Sequence, residues 1–257
     1  MLRQASTLSG STVDATDGTI GHVKDAYFDD EGWAIRYLVV NTGSWLVGRE
    51  VLISPYSVKA PIGSDGVVAV SLTRGQIEAS PDIDTHQPVS RQHEFEYLGY
   101  YGYGDYWYGG DLWGISAYPV LPLSPLSGAA AGATERLRDA PDASLQDVHL
   151  RSTESVTGYH VQASDDGIGH VQDFIFDDAS WAIRYLVVDT RNWWPGGRRV
   201  LVSTRWIDRI DWAERKVFTK LTREAVRASP AYEESAHIDR AYERRLHDAH
   251  GLPAYYI

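Results

Sequence analysis

Two histidines at matching positions are the first residues in this chain whose side chains could do chemistry. His22 and His170 each stand third in a copy of the tetrapeptide IGHV. Imidazole titrates near neutral pH, so both histidines are candidates for proton relay or for metal ligation. The simpler interpretation, which we favour, is a strand histidine that hydrogen-bonds a neighbour. Neither copy shows the HxH or HExxH spacing of a metal site, so the sequence predicts no bound metal.

Two runs of acidic residues could supply oxygen ligands to a hard cation. They are Asp29-Asp30-Glu31 and Asp177-Asp178. Both runs lack the glycine and the distal glutamate of an EF-hand loop. Each lies where a hairpin has to turn, and we interpret both as turn residues.

Sequence motifs of the common catalytic sites are absent. The chain has no GxSxG elbow, no GxxxxGK[ST] phosphate loop and no strand followed by GxGxxG. The glycines of YLGYYGYGDYWYGG alternate with bulky aromatic residues, which keep that backbone from cradling a phosphate. The absence of cysteine excludes disulfides and thiol nucleophiles. The sequence therefore predicts a protein that is not an enzyme and that holds no cofactor.

Strand signals dominate the segments that carry these residues. The alternating run Gly18–Asp29 and the apolar run Trp33–Thr42 flank the acidic turn, which predicts a β-hairpin. Arg36 indicates that the second strand begins partly exposed, although its end is apolar on both faces. Shorter strands are predicted at Ser11–Ala15, Glu50–Ile53 and Val67–Leu72. So many short strands in so few residues favour a small β-barrel.

Helix signals follow the strands. Thr73 is placed to cap a short helix that Pro81 ends. A second helix is predicted at Ser90–Leu98, and its counterpart late in the chain at Asp239–His247.

The whole pattern occurs twice. Ile20–Val40 and Ile168–Val188 are identical at 16 of 21 positions with an offset of 148, and one extra residue in WWPGGRRV raises the offset to 149. The register then holds as far as Tyr106 and Tyr255. The sequence thus predicts a mainly β fold of two tandem small barrels, each followed by short helices and an aromatic tail. The predicted domains are a first repeat at 1–108, a linker containing Pro, Gly and Ala at 109–149, and a second repeat at 150–257.

Composition restricts the partners. The net charge of −11 argues against binding to a nucleic-acid backbone, which needs clustered Lys and Arg. No apolar run reaches the roughly 18–20 residues of a membrane span. The first residues lack the features of a secretory signal, so a cytoplasmic location is expected.

The repeated string IGHV·D··FDD··WAIRYLVV, followed by a Trp, a Gly-Arg pair and VL(I/V)S, strongly resembles the PRC-barrel domain. The resemblance covers both copies, and the L-T-R····SP segment and the Tyr-rich tail resemble stand-alone bacterial members. It implies a compact β-barrel that is generally non-catalytic. In the photosynthetic reaction-centre H subunit, the domain lies along a proton path to the quinone. In the ribosome maturation factor RimM, a similar domain contacts ribosomal components.

We therefore expect a protein–protein interaction or assembly module whose two barrels form an internal pseudo-dimer and whose protein partner is unknown. Three alternatives stay open: a reaction-centre H-subunit-like accessory in electron or proton transfer, a RimM-like factor in RNA processing or ribosome assembly, and small-ligand binding by the aromatic segments. The candidate interface residues are Trp45, Trp193, Trp194, Tyr106 and Tyr255.

Overall fold

The computed structural model describes most of the chain. The described residues are 1–46, 48–59, 62–63, 66–81, 89–107, 109–120, 149–191, 193, 195–234 and 238–254. Most of the predicted linker therefore lies outside the described residues. Within the described ranges, no helix is both long enough and apolar enough to cross a membrane.

The strands and helices follow a similar order in both halves of the chain, and the second half adds a short helix, α3, and a strand, β12. The first half contains β1 (Leu2–Gln4), β2 (Thr12–Ala15), β3 (Gly18–Asp29), β4 (Ala34–Asn41), β5 (Glu50–Ile53), β6 (Val67–Ala69), α1 (Arg74–Glu78) and α2 (Arg91–Tyr101). The second half contains β7 (Leu150–Ser152), α3 (Thr153–Val156), β8 (His160–Gln162), β9 (Gly167–Asp177), β10 (Ile183–Asp189), β11 (Arg199–Ser203), β12 (Ile207–Asp211), β13 (Lys216–Thr219), α4 (Arg223–Ala228) and α5 (Arg240–His250).

These elements form two compact units, and each unit includes short segments from the other half of the chain. Unit 1 consists of Met1, Thr7–Ser152 and Asp177–Ala182. Unit 2 consists of Leu2–Ser6, Thr153–Phe176 and Ile183–Ile257. Each unit thus contains a short segment that is remote in sequence from the rest of it.

Each unit is built on one sheet. In unit 1 the strand order is β5-β4-β3-β2-β6, and β7 adds to β3. In unit 2 the order is β11-β10-β9-β8-β13-β12, and β1 adds to β9. Along these two orders the neighbouring strands are antiparallel, except for two parallel pairs, β2 with β6 and β8 with β13. The predicted mainly β fold, with two small barrels and short helices, is confirmed.

The long hairpin β3–β4 forms the core of unit 1. All the residues of β4 except the last are buried, as expected for a strand that is covered on both faces. The sequence expectation that Arg36 leaves the start of this strand partly exposed is wrong, because Arg36 is only 2% exposed. A carboxylate neutralises its charge and two aromatic rings cover it, as described below.

The hairpin turn confirms the role predicted for the acidic run. The Asp29 side chain accepts hydrogen bonds from the backbone N–H groups of Glu31 at 2.9 Å and Gly32 at 3.1 Å. Trp33 then adopts a left-handed φ of 53°, and its repeat counterpart Trp181 a φ of 59°. Both copies therefore use the same tight turn.

Side-chain caps begin the helices, and the cap predicted at Thr73 is present. Thr73 and Gln76 form a reciprocal capping box at the start of α1. Ser90 caps α2 and Asp239 caps α5, each by accepting a backbone N–H three residues later.

The glycine of each IGH motif is required by a close backbone approach. A Cβ atom on Gly21 would lie 2.0 Å from the carbonyl oxygen of Asn41, and one on Gly169 would lie 2.2 Å from that of Asp189. Their φ angles, 151° and 155°, also disfavour any other residue. The repeated glycine thus lets neighbouring strands meet.

We expect Gly21→Ala to lower the free energy of unfolding by about 3 kcal/mol or more, because it adds both backbone strain and a steric overlap. The matched control is Gly99→Ala in α2, where a Cβ meets nothing within 4 Å. That change should instead stabilise by about 0.5–1 kcal/mol. Urea denaturation of the two variants measures the contrast, and equal effects would contradict this account.

Candidate functional site

Five polar side chains form a cluster inside unit 1, which we name the buried polar centre. Its members are Asp29, Arg36, Glu94, Tyr106 and His149, each at most 5% exposed. They come from β3, β4, α2, the segment after α2 and the residue before β7. Charged residues are this deeply buried in proteins only when they are paired, so their contacts explain their presence.

Arg36 and Asp29 form the first half of the buried polar centre. The Arg36 guanidinium donates to Asp29 Oδ2 at 2.8 Å and to the carbonyl of Leu112 at 2.7 Å. Its carbon lies 3.7 Å from the centroid of the Tyr106 ring and 4.7 Å from that of Trp113. The cation is therefore neutralised by Asp29 and lies close to two aromatic rings.

The pKa of Asp29 reflects this pairing. Burial alone would raise it, but the charge and hydrogen bond of Arg36 and the two turn amides outweigh burial, so the pKa lies below its ordinary value. Asp29 thus remains a carboxylate inside the protein.

Tyr106, Glu94 and His149 form the second half. The Tyr106 hydroxyl donates to Glu94 Oε1 at 2.7 Å and lies 2.7 Å from His149 Nε2. His149 Nε2 lies 2.8 Å from the other carboxylate oxygen of Glu94. One glutamate thus receives both the phenol and the imidazole, which is the arrangement of a charge-assisted hydrogen-bond network.

Burial and charge act in opposite directions on the histidine. Burial lowers the pKa of His149, but the hydrogen bond and the charge of Glu94 outweigh it and leave the pKa above the ordinary value of 6.5. For Tyr106, burial and the nearby Glu94 raise the pKa well above its usual range. The phenol therefore stays protonated.

Helix α2 positions Glu94. One turn later on the same helix, the Tyr97 hydroxyl donates to the Leu52 carbonyl at 3.0 Å and accepts from the Ser54 amide at 3.1 Å. The Tyr97 ring also packs edge-on against Tyr37, with centroids 5.2 Å apart. The helix is therefore fixed against β4 and β5, which directs Glu94 inward.

Unit 2 builds a related cluster from different parts. The Tyr185 hydroxyl donates to Glu243 Oε1 at 2.9 Å and lies 3.1 Å from His247 Nε2. Glu243 matches Glu94 at the repeat offset of 149, but His247 occupies the place of Leu98. Burial leaves the pKa of His247 below its ordinary value, whereas Glu94 raises that of His149 above it. Both units therefore bury a glutamate with a tyrosine and a histidine. Tyr185 is the counterpart of Tyr37, whose pKa is raised by burial and by the nearby Glu94, whereas the two histidines are not repeat-equivalent.

The interface candidates lie in different environments. Tyr106 is buried in the polar centre and is 5% exposed. Trp45 is half-buried, with the Arg74 guanidinium 4.6 Å from its ring. Trp193 is also half-buried, and Arg223, the counterpart of Arg74, donates to its carbonyl at 3.3 Å. Trp194 and Tyr255 lie outside the described residues.

The two proton-relay candidates stand at the strand surface. His22 is exposed, and its Nδ1 lies 3.5 Å from Thr12 Oγ1. His170 is half-buried, pairs across the sheet with Asp189 and contributes to lowering the pKa of that carboxyl, after the larger effect of Arg191. The histidines of the buried clusters are instead His149 and His247.

Sequence reasoning missed Glu94 and Glu243. The signal was available, because the two helices align as RQHEFEYLGYY and RAYERRLHDAH and share the glutamate. Glu94 stands four residues before Leu98, and Glu243 stands three before Leu246; both leucines face the core. A shared charged residue on the apolar side of a helix indicates a buried pairing.

Unit 2 also has a small open pocket of about 140 Å³ beside the segment that carries the extra residue of the second repeat. It is lined by Pro195, Gly196, Arg198, Val200, Val226 and Arg227. Arg198 donates to the carbonyls of Arg227 and Ser229 at the end of α4, and Arg49 does the same for Glu78 and Ser80 at the end of α1. The arginine is thus a repeated helix cap rather than a specialised ligand group.

Metal chemistry finds no support in the described ranges. No group of three or more His, Asp or Glu side chains there is arranged to hold a metal ion. The charged and polar groups of the buried polar centre are used in contacts with one another, so the arrangement is suited to stabilising unit 1.

Comparisons with known proteins identify both repeats. A family model described as "PRC-barrel domain" matches residues 3–76 and again residues 153–226. The two matches together cover more than half of the chain. No curated protein matches the chain.

We expect Arg36→Met to lower the free energy of unfolding by about 3–5 kcal/mol, because it leaves the Asp29 charge buried and unpaired. The control is Lys24→Met, which breaks the Lys24–Glu50 ion pair of 2.7 Å, in which the lysine is 47% exposed. An exposed pair contributes only about 0–1 kcal/mol. Urea denaturation compares the two, and similar losses would refute the role assigned to Arg36.

The stability that His149 provides should decrease as the pH rises. Its folded pKa is raised, so the contribution is complete below the unfolded value near 6.5 and is lost as the pH passes through the folded value. The difference in urea midpoint between wild type and His149→Gln should therefore be larger at about pH 6 than at about pH 8.5.

His247→Gln is the matched control with the opposite sign. The folded pKa of His247 is lowered, so the wild type loses stability as the pH falls from about 6.5 through the folded value. The urea midpoint of this variant should therefore rise relative to that of the wild type at acid pH. Parallel pH profiles for the two variants would contradict the assignment of the histidines.

Proposed function

The chain belongs to the PRC-barrel family, and on that premise we propose that it acts as a non-catalytic protein–protein interaction or assembly module. The observation that carries the proposal is an exposed apolar surface, Ile115–Val120. Ile115, Tyr118 and Val120 are 77%, 52% and 57% exposed. They are three of the six large hydrophobic side chains that are exposed among the described residues. Single exposed apolar residues are ordinary, whereas a cluster on one segment is typical of a contact surface.

Trp113 anchors this surface to unit 1. It is 3% exposed, and its Nε1 donates to the carbonyl of Ser180 at 2.8 Å. Its ring packs edge-on against Tyr56, with centroids 5.0 Å apart. Its backbone N–H donates to Ser116 at 2.8 Å, which fixes the chain just before Tyr118. A surface held in place in this way loses little entropy when it binds.

The buried polar centre supports a structural rather than a catalytic role. Its charged groups are paired within the barrel, whereas a catalytic group has to reach a substrate. In this proposal the centre stabilises the unit that presents Ile115–Val120.

The proposal also includes an internal pair of the two repeats. Such a pair would replace the homodimer that two single-repeat chains would form, because a duplicated self-complementary surface can satisfy itself within one chain. The crossed composition of the units supports this part: Leu2–Ser6 belongs to unit 2, and Leu150–Ser152 to unit 1.

The test is a quantitative pull-down with mass spectrometry from the source cell. The bait variant carries Ile115→Ser, Tyr118→Ser and Val120→Ser, and the control bait carries Leu252→Ser, at a residue that is 36% exposed. We expect at least one protein captured by the wild type to fall about tenfold with the triple variant and to remain with the control.

Identical capture by all three baits, with unchanged melting temperatures, would refute Ile115–Val120 as the contact surface. The identity of the captured protein distinguishes the remaining settings. Ribosomal proteins would favour the RimM-like role, and reaction-centre subunits the H-subunit-like role.

A further inference from the structure

The end of β3 in unit 1 receives a strand that is far away in sequence. β7 pairs with it antiparallel, with Tyr27 opposite Ser152 and Asp29 opposite Leu150. The backbone N–H of Asp30 continues the ladder by donating to the carbonyl of His149 at 3.1 Å. We name this edge, from Asp25 to Asp30, the strand slot of unit 1.

Carboxylates on both sides of the slot hold the side chains of the incoming strand. The Ser152 hydroxyl donates to the carboxylate of Asp25. Arg151 Nε donates to Asp30 Oδ2 at 2.8 Å. The slot therefore recognises an arginine followed by a hydroxyl residue, in addition to the strand backbone.

Unit 2 has an equivalent slot on β9, which receives β1. There the backbone N–H and the hydroxyl of Ser6 both donate to the carboxylate of Asp173. Asp173 is the counterpart of Asp25 at the offset of 148. The incoming strand begins with Leu2-Arg3, the same pair as Leu150-Arg151.

The two slots thus receive strands that begin with the same Leu-Arg pair, and in both an equivalent aspartate accepts from a serine: Ser152 within β7, and Ser6 just after β1. The backbone ladder is also repeated, because the backbone N–H of Asp178 donates to the carbonyl of Met1 at 2.9 Å, as that of Asp30 does in the slot of unit 1. β1 precedes the first repeat's barrel strands and β7 follows the linker, so this shared recognition depends on the strand and the slot rather than on the covalent connection.

We infer that the strand slot of unit 1 is a docking surface for the N-terminal strand of another repeat, and that a second copy of this chain can supply that strand in trans. The inference rests on the internal pair proposed above and is independent of the Ile115–Val120 surface. β-strand addition supplies the main-chain hydrogen bonds, and the Asp25 and Asp30 carboxylates select the strand. Exchange of such elements between copies is an accessible route to assembly.

The linker between the repeats raises the local concentration of β7 at the slot. Joining two binding elements in one chain gives an effective concentration of about the millimolar range. Cutting the linker turns the same recognition into an association between two chains, whose dissociation constant can be measured.

The experiment uses the full chain with a specific protease site placed between residues 121 and 148. After cleavage at micromolar concentration, native mass spectrometry should show one complex with the mass of both halves. On incubation of cleaved protein with an isotope-labelled cleaved copy, hybrid complexes should form with one half from each copy. Separated halves, or the lack of hybrids after prolonged incubation, would overturn the inference.

The slot variant combines Asp25→Asn with Asp173→Asn, which removes the carboxylates that hold Ser152 and Ser6. It should raise the dissociation constant of the cleaved complex by about tenfold or more. The matched control is Asp14→Asn on β2, where the carboxylate accepts from Thr19 at 2.7 Å within its own sheet. Equal dissociation constants for the slot variant and the control would show that the strands do not carry the association.

These results are separable from those of the pull-down. Separation of the cleaved halves would overturn the strand-slot inference and leave the capture contrast at Ile115–Val120 unchanged. Loss of that capture contrast would leave the cleaved complex intact.

Discussion

An open sheet edge within a buried hairpin is the constraint on which unit 1 depends. β2 covers only the first part of β3, pairing no further than His22, so the later part needs another partner. Phe28 lies there at 0% exposure, and unpaired backbone groups at such depth are costly. β7 satisfies them with three residues. Its pairing also brings His149 to Glu94, so the buried polar centre is completed by the same strand that closes the edge.

The two units show how one buried glutamate can be neutralised in two ways. Glu94 pairs with His149, the residue before β7, and Glu243 pairs with Arg240 of its own helix at 3.0 Å. The first arrangement makes the polar centre depend on a remote segment, whereas the second is local to α5. Duplication has kept the carboxylate and the barrel, and the source of the partner has changed between the copies.

The features that the sequence predicted well are local ones. The hairpin, the Thr73 cap and the Asp29 turn follow from patterns within a few residues, and the structure has them. The burial of Arg36 could not be predicted from such local patterns, because the carbonyl that accepts its hydrogen bond belongs to Leu112, 76 positions along the chain. The pairing of β7 with β3 was equally hidden, since three-residue strands carry little periodicity and their partners are remote. The family resemblance predicted the barrel fold, and the repeat predicted that there are two barrels. Neither predicted the buried polar centre.

The crossed strands have a consequence for synthesis on the ribosome. β1 is synthesised well before its partner β9, which begins at Gly167. At about 5–20 residues per second, the two are separated by roughly ten to thirty seconds of translation. During that interval, the nascent first repeat has a bare edge on β3 and an unplaced leading segment, since β7 too has still to be made. Neither β1 nor the end of β3 can therefore pair within the chain until the second repeat has been synthesised.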